Sequence, residues 1–283
     1  MNFSQPAADL YVPDGLPAMQ ALARTTHLCL AAHQDDIEIM AYHGIAECHG
    51  STDRWFTGVV LTDGSGSPRA GKFRHFTDEQ MKAVRCTEQR RAAKLGRYAA
   101  MIQLAHPSTV VKSPRSREVR KDLAQVLAAC RAQVVYLHNP ADKHDTHVAV
   151  FLRCLEALRE LPKNRRPRQV LGCEVWRNLD WLVDSDKVLL DDSPKPALAA
   201  KLIGAFQSQI AGGKRYDRAI VGRRLANATF HTSHATDAAA AVTWAMDLTP
   251  LVNEPTLSVE KFTLAHLDRL RADVRNRLKR FAR

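Results

Sequence analysis

Short hydrophobic segments alternate with longer amphipathic segments along the first two thirds of the chain. The pattern predicts strands over residues 27–32, 55–62, 98–104 and 132–138. It predicts helices over residues 37–49, 77–95, 116–131 and 145–160. This strand–helix order favours a Rossmann-like α/β fold, in which a mostly parallel sheet is covered by helices on both faces.

The pattern is less regular past residue 165. Strands are predicted over Val170–Trp176 and Lys187–Leu190, and helices over 195–210 and 214–226. No repeat and no low-complexity linker interrupts this stretch, so we expect one domain over residues 1–255.

The last 23 residues differ in charge from the rest of the chain. Residues 261–283 contain eight Lys or Arg and two Asp, so they carry more than half of the formal net charge of +11. Apolar residues recur there every three or four positions, which predicts an amphipathic helix within residues 256–283. We expect that helix to pack on the body or on a partner subunit in a homo-oligomer; binding to an anionic surface or ligand is the alternative.

Composition limits the class of protein. The 283 residues, 45% of them hydrophobic, contain no apolar run long enough for a membrane span and no signal-peptide pattern at the start. The six cysteines are scattered without a C-x-x-C pair, which favours reduced core thiols and a cytoplasmic location. The positive charge suggests nucleic acid as a partner, but no motif of a nucleic-acid-binding fold supports that alternative.

Two polar runs lie just past the ends of predicted strands. The first is His33-Gln34-Asp35-Asp36, after strand 27–32, and the second is His144-Asp145-Thr146-His147, after strand 132–138. The carboxyl ends of parallel strands lie at one edge of a sheet, so the two runs are expected to share a site. Two histidines and a carboxylate suit a catalytic Zn²⁺, and iron or cobalt would fit the same set. Helix capping by Asp35 or Asp36 is the structural alternative.

The motifs resemble those of the PIG-L/LmbE-like zinc deacetylases. The family's AHPDDE motif corresponds to residues 32–37, and its HPDH motif to residues 144–147. An R-x-x-E pattern begins at Arg85, and a TDG triplet ends at Gly64. The resemblance covers residues 25–215 and implies an LmbE-like three-layer sandwich.

The resemblance also implies an activity and a set of roles. The enzyme would be a metal-dependent amide hydrolase that removes acetyl from an N-acetylated amino sugar or its conjugate, giving acetate and a free amine. An amidase acting on another N-acyl glycoside or a thiol conjugate is the alternative. The implied metal ligands are His33, Asp36 and His147. The implied catalytic residues are Asp35, the general base, and His144, which would stabilise the oxyanion as an imidazolium.

Four residues are expected to contact the substrate: Arg85, Asp142, Asp63 and Trp176. An ion pair with Glu88 is the alternative for Arg85. The chain departs from the family pattern at Gln34, which replaces proline, and at Asp142, where some relatives have a tyrosine. The run Lys214-Arg215-Tyr216 is a candidate for binding a phosphate or carboxylate, and a solvated helix start is the alternative.

Overall fold

An eight-stranded sheet organises the computed structural model, which describes residues 1–282. The strands are β1 (Asp9–Tyr11), β2 (His27–Ala31), β3 (Phe56–Thr62), β4 (Ala100–His106), β5 (Val134–His138), β6 (Gln169–Cys173), β7 (Val188–Asp191) and β8 (Val242–Asp247). Their order in the sheet is β1-β4-β3-β2-β5-β6-β8-β7. The five central strands, from β4 to β6, are mutually parallel. The prediction of a mostly parallel sheet is therefore confirmed.

Both sides of the sheet end in antiparallel pairs that the sequence pattern does not reveal. Strand β1 pairs with β4, while β8 lies between β6 and β7 and runs antiparallel to both. Strand β1 has only three residues, too few for an alternating pattern to stand out. Strand β8 enters from a distant part of the chain, so its place in the sheet depends on tertiary contacts.

Twelve helices cover the sheet. They are α1 (Ala18–Ala23), α2 (Asp36–Met40), α3 (Tyr42–Cys48), α4 (Asp78–Leu95), α5 (Ser108–Lys112), α6 (Arg117–Ala129), α7 (Asp145–Arg159), α8 (Pro196–Ile203), α9 (Gln207–Ile210), α10 (Tyr216–Thr229), α11 (Thr249–Asn253) and α12 (Val259–Phe281). None of them is both long enough and apolar enough to cross a bilayer within residues 1–282.

The central strands are buried on both faces. Every residue of β2 is buried, and its side chains alternate between two hydrophobic clusters. Leu28 and Leu30 pack in the cluster that includes α6 and α7, while Cys29 and Ala31 pack in the cluster that includes α2 and α3. This twofold alternation places helices on both sides of the sheet and produces a three-layer α/β sandwich.

The direction of chain progression reverses between β2 and β5. From β2 the chain adds β3 and then β4 on one side, whereas β5 and then β6 extend the sheet on the other side. Ligands of open parallel sheets bind in the crevice at such a reversal, beyond the carboxyl ends of the strands. Both polar runs of the sequence leave the sheet at this crevice.

Two helices expected from the sequence are each split in two. The segment 37–49 breaks at Ala41 between α2 and α3. Arg224 of α10 donates hydrogen bonds of 3.0 Å to the carbonyls of both Glu38 and Ile39, so the end of α2 is stabilised by a distant residue. The segment 195–210 breaks after Ile203, where Gly204 ends α8.

The C-terminal helix α12 contacts the body through its first half. Val259 and Phe262 pack on the hydrophobic cluster that includes α6 and α7, and Arg269 forms an ion pair with Asp186. The second half lies outside the body: the side chain of Phe281, for example, is 77% exposed. A separate role for residues 256–283 remains a prediction.

Candidate metal centre and catalytic cleft

The turn between β2 and α2 is held in an unusual backbone conformation. Asp35 has φ 90°, a value that non-glycine residues rarely adopt and that costs about 1–3 kcal/mol. Its main-chain N–H donates to the side chain of Gln89 at 3.2 Å. The buried guanidinium of Arg85 donates to the carbonyl of Gln34 and to Asp35 Oδ2, the latter at 3.2 Å. These contacts come from α4, so α4 holds the turn in place.

The loop between β5 and α7 is ordered by its own polar side chains. Asp142 Oδ1 accepts from the main-chain N–H of His144 at 3.1 Å. His144 caps α7, since its Nδ1 accepts from the N–H of Thr146 at 3.3 Å. His147 then lies in the first turn of α7, where the loop turns it towards the end of β2.

The side chains of His33, Asp36 and His147 converge at the crevice. His33 Nδ1 lies 3.2 Å from Asp36 Oδ2 and 3.2 Å from His147 Nε2. His147 Nε2 lies 3.3 Å from Asp36 Oδ2. Ligand atoms about 2.0–2.1 Å from a tetrahedral Zn²⁺ are separated by about 3.3 Å. The donor types and their spacing therefore fit a divalent transition-metal ion, which these three residues would hold.

Asp142 lies beneath this cluster and not in the wall of the cleft. Its Oδ2 is 3.2 Å from His147 Nδ1 and also accepts from the main-chain N–H of Trp176. Both carboxylate oxygens are thus engaged by the protein. This differs from the expectation that Asp142 contacts substrate, because its side chain is buried and is not among the residues that line the cleft. The contact matches the outer carboxylate that orients a metal-bound histidine.

Two carboxylates raise the proton affinity of His147 in the absence of an ion. Burial alone would lower its pKa, but Asp36 and Asp142 raise the pKa of His147 to about 9. The carboxyl group of Asp36 is also buried, and the adjacent His147 nevertheless holds its pKa well below the usual range. The cluster is therefore a strongly anionic environment that attracts either a proton or a metal cation.

His138, the last residue of β5, is a site residue that the sequence interpretation missed. Its Nε2 accepts from the main-chain N–H of Ala32 at 2.9 Å, which ties the end of β2 to the end of β5. Its ring stacks on that of His147, with centroids 3.9 Å apart. A histidine that ends an otherwise apolar strand was the available signal. His138 lies near enough to Asp36 and His147 to form a second possible metal-binding group with them, but its Nε2 lone pair already accepts a hydrogen bond.

Asp35 lies beside the three ligand side chains and lines the cleft. Burial raises the pKa of its carboxyl group to about 6, although the Arg85 guanidinium acts in the opposite direction. Arg85 also approaches Glu88, with 3.8 Å between Nη1 and Oε2. Arg85 thus lines the cleft and forms the interior ion pair with Glu88 that was the alternative for it; its contact with substrate stays a prediction.

His144 faces the cleft as a neutral imidazole. Burial lowers its pKa to about 4, and the neighbouring rings of His147 and His33 act in the same direction. Since its Nδ1 accepts the N–H of Thr146, the neutral tautomer carries its proton on Nε2. This differs from the expectation of an imidazolium, because two other histidines lie within stacking distance.

The cleft above these residues has a volume of about 610 Å³. Asp63 and Trp176, both expected at the substrate, line it. Asp63 is engaged by Lys82 at 3.2 Å and by the N–H of Ser65 at 3.1 Å. The following Gly64 has φ 75°, and a Cβ there would lie 2.6 Å from the Gln34 side chain, so only glycine fits.

Tyr216, at the start of α10, lines the cleft, and the sequence interpretation named it only as part of the run Lys214-Arg215-Tyr216. Burial raises the pKa of its phenol, and the negative charges of Asp35 and Asp36 raise it further. The hydroxyl therefore stays protonated as a donor. No local motif marks Tyr216, because it reaches the crevice only through the packing of α10.

A family model matches part of the chain. Residues 28–158 match the model described as PIG-L: GlcNAc-PI de-N-acetylase. This range includes both polar runs and the helix that carries Arg85. No curated protein matches the chain.

Solved structures share the fold at low sequence identity. The N,N'-diacetylchitobiose deacetylase from Pyrococcus horikoshii is 18% identical, with a TM-score of 0.62 over 80% of this chain and 85% of that one. GalB, the 4-carboxy-2-hydroxymuconate hydratase from Pseudomonas putida KT2440, is 18% identical, with a TM-score of 0.61 over 83% and 100%. The A40926 pseudoaglycone deacetylase is 14% identical, with a TM-score of 0.57 over 79% and 97%. The fold thus occurs in both deacetylases and a hydratase.

Proposed function

We propose that this chain, a member of the PIG-L family through residues 28–158, is a metal-dependent hydrolase that removes acetyl from an N-acetylated amino sugar or its conjugate. The products are acetate and the free amine. Zn²⁺ is the proposed ion, held by His33, Asp36 and His147. The cytoplasmic location and the homo-oligomer expected from the sequence remain predictions.

One observation carries the proposal. Ligand atoms from two distant stretches of chain lie 3.2–3.3 Å apart at the crevice, with a second carboxylate, Asp35, beside them in the cleft. Hydrolysis of an amide requires a polarised carbonyl and an activated water, and such a site can provide both. A bound ion would act there as a Lewis acid and lower the pKa of its water.

Asp35 is positioned to move protons during the reaction. With a pKa of about 6, its carboxylate is mostly ionised at neutral pH and can accept a proton from the attacking water. The same group, once protonated, can deliver that proton to the leaving nitrogen. Arg85 keeps the carboxylate oriented towards the cleft through its 3.2 Å contact with Oδ2.

His144 is positioned to stabilise the negative charge that develops on the acetyl oxygen. Its neutral ring presents an Nε2–H donor because Nδ1 is already occupied by the N–H of Thr146. Loss of one such donor typically lowers kcat by about 10²- to 10³-fold. The Tyr216 hydroxyl, in the same cleft, is a second donor for this oxygen or for a sugar hydroxyl.

Acetate release from a panel of N-acetylhexosaminides tests the proposal, together with the metal content of the purified protein. We expect one equivalent of a divalent transition metal and acetate release by the wild type. Asp35→Asn should abolish turnover and retain the metal. Asp268→Asn, on the exposed part of α12, is the matched control and should change neither quantity.

Two outcomes would contradict this assignment. One is a protein that contains the metal but releases no acetate from any N-acetyl substrate. Hydration, the activity of the structurally similar GalB, would then be tested next. The other is full activity in the Asp35→Asn variant. Release of a different acyl group, or turnover of a thiol conjugate only, would replace the proposed substrate by the alternative amidase.

A further inference from the structure

Three cationic side chains of the cleft have no ion-pair partner within residues 1–282. They are Lys112, Lys214 and Arg223. The acidic residues of the cleft are already engaged: Asp35 pairs with Arg85 and Asp63 pairs with Lys82. The carboxylate of Asp36 belongs to the metal-ligand cluster. The remaining charge on the cleft wall is therefore positive.

Lys214 lies close to the catalytic centre. Its Nζ is 4.9 Å from the centroid of the Trp176 ring, and that ring lies 6.1 Å from the His144 ring. Its main-chain N–H donates to the carbonyl of Gln209 at 3.0 Å, after a turn in which Gly213 has φ 91°. The Trp176 ring thus lies between the ammonium group of Lys214 and His144, the proposed oxyanion donor.

Arg223 is held beside the same tryptophan. Its Nη1 donates to the carbonyl of Val175, the residue before Trp176. The buried carboxylate of Glu174 lies near enough to interact with Arg223 electrostatically but forms no direct ion pair with it, and its oxygens accept from Asn227 and from the N–H of Leu179. Arg223 and Lys214 therefore form a cationic pair on the β6 side of the cleft.

Lys112 approaches from the other side of the crevice. It ends α5, directly after β4, whereas Trp176 follows β6. Strands β4 and β6 lie on opposite sides of β2 in the sheet. Like charges facing one concave space repel each other unless a counter-charge binds between them. Acetamide and sugar hydroxyl groups are neutral and provide no such charge.

Resting on the proposed deacetylation, we infer that the substrate carries an anionic group, a phosphate or a carboxylate, which Lys214 and Arg223 bind while the acetamide lies at the metal centre. Lys112 flanks the anion from the β4 side. The anionic group is attached about one sugar ring from the acetamide, as the Trp176 spacing requires. The cleft thus selects acidic amino sugars over neutral ones.

Acetate release under matched conditions separates the possible substrates. The probes are N-acetylglucosamine 6-phosphate, N-acetylmuramic acid and the neutral methyl N-acetylglucosaminide. We expect kcat/KM for at least one of the two anionic probes to exceed that for the neutral probe by about tenfold or more, because charge-assisted hydrogen bonds are the stronger ones. The preferred anionic probe shows whether the source of charge is a phosphate or a carboxylate.

Variants test whether the named cations provide the preference. Lys214→Met and Arg223→Gln should each lower the ratio of anionic to neutral kcat/KM by about tenfold, mainly through KM. Arg218→Gln is the control, because Arg218 is exposed on the same helix and does not line the cleft; its ratio should stay at the wild-type value. An equal loss on both probe classes would overturn the inference.

Calorimetry separates a failure of this inference from a failure of the proposed function. Glucosamine 6-phosphate and glucosamine are titrated into the wild-type protein and the Lys214→Met variant. Tighter binding of the phosphate by the wild type only, without any acetate release, would support the anion site and reject the deacetylase. Acetate release without an anionic preference would support the deacetylase and reject the anion site. No phosphate binding in a protein that releases no acetate would reject both.

Discussion

The carboxylate of Asp142 lies 3.2 Å from Nδ1 of His147, whose other ring nitrogen lies 3.3 Å from Asp36. The imidazole is therefore held at both nitrogens, and its orientation is fixed before any ion binds. Outer carboxylates of this kind increase the basicity of a ligand histidine and set its tautomer.

Asp142→Asn should consequently weaken metal binding. We expect the affinity to fall by about 10- to 100-fold, with the fold retained, because the amide is nearly isosteric but uncharged. Competition with a chromophoric chelator measures the change. Asp145→Asn provides the control, since Asp145 is exposed in the first turn of α7 and should have little effect. Equal affinities for the wild type and Asp142→Asn would contradict the role assigned to Asp142.

Metal binding should release protons at neutral pH. The pKa of His147 is about 9 in the metal-free chain, so its ring is protonated at pH 7 and must lose that proton to bind an ion. The affinity should therefore fall as the pH is lowered. Titration calorimetry in two buffers of different ionisation enthalpy gives the number of protons released, and we expect about one per ion at pH 7. A value of zero would show that His147 is already neutral.

The pH–rate profile should respond to Arg85. Asp35 acts as a base only when ionised, so kcat/KM should decline as the pH falls through its pKa of about 6. The Arg85 guanidinium lowers that pKa, so Arg85→Gln should move the acidic limb of the profile to higher pH, while Arg85→Lys should restore part of the shift. If the acidic limb does not move in Arg85→Gln, Arg85 does not set the pKa of Asp35.

Glu38 should make stability depend on pH. Burial raises its pKa from 4.5 to about 8, so the native state favours the protonated form. The associated stability is fully present below pH 4.5 and is lost as the pH rises through 8. Between pH 4.5 and pH 7 the loss is on the order of 3 kcal/mol.

Glu38→Gln should flatten this dependence, because the amide cannot ionise and can still accept from Tyr98, which donates to Glu38 at 2.7 Å in the wild type. Urea denaturation at a series of pH values measures the free energy of unfolding. Glu79→Gln is the control, since that side chain is 81% exposed. The same slope for the wild type and Glu38→Gln would refute the assignment.

Much of the fold could be predicted because the local hydrophobic pattern of each segment matches its burial in the folded protein. The central strands are buried on both faces, so they appear as continuous apolar runs, and the helix predicted from residue 77 begins there with a capping box formed by Thr77 and Gln80. The sequence did not indicate the edge strand β1 or the strand β8, which lies between β6 and β7. Their pairing depends on partners far away in the chain, which no local periodicity encodes.

The site shows the same division. The position of each polar run after a predicted strand identified the residues that converge at the crevice, because the carboxyl ends of parallel strands share one edge of the sheet. Other features of the site depend on tertiary packing, which the sequence pattern does not encode. They are the stacking of His138 on His147, the contact of Asp142 with His147, and the position of Tyr216 in the cleft.

The hydrogen bonds from Arg224 to the carbonyls of Glu38 and Ile39 have a consequence for how the chain can be divided. Arg224 is itself anchored by Asp192, 2.7 Å away, so the end of α2 depends on two residues beyond the family-matched range. A fragment ending at residue 158 would leave those carbonyls without their donors, directly behind the turn that carries Asp35 and Asp36. The smallest autonomous unit of this chain therefore includes α10, and fragments limited to residues 28–158 should not assemble a working centre.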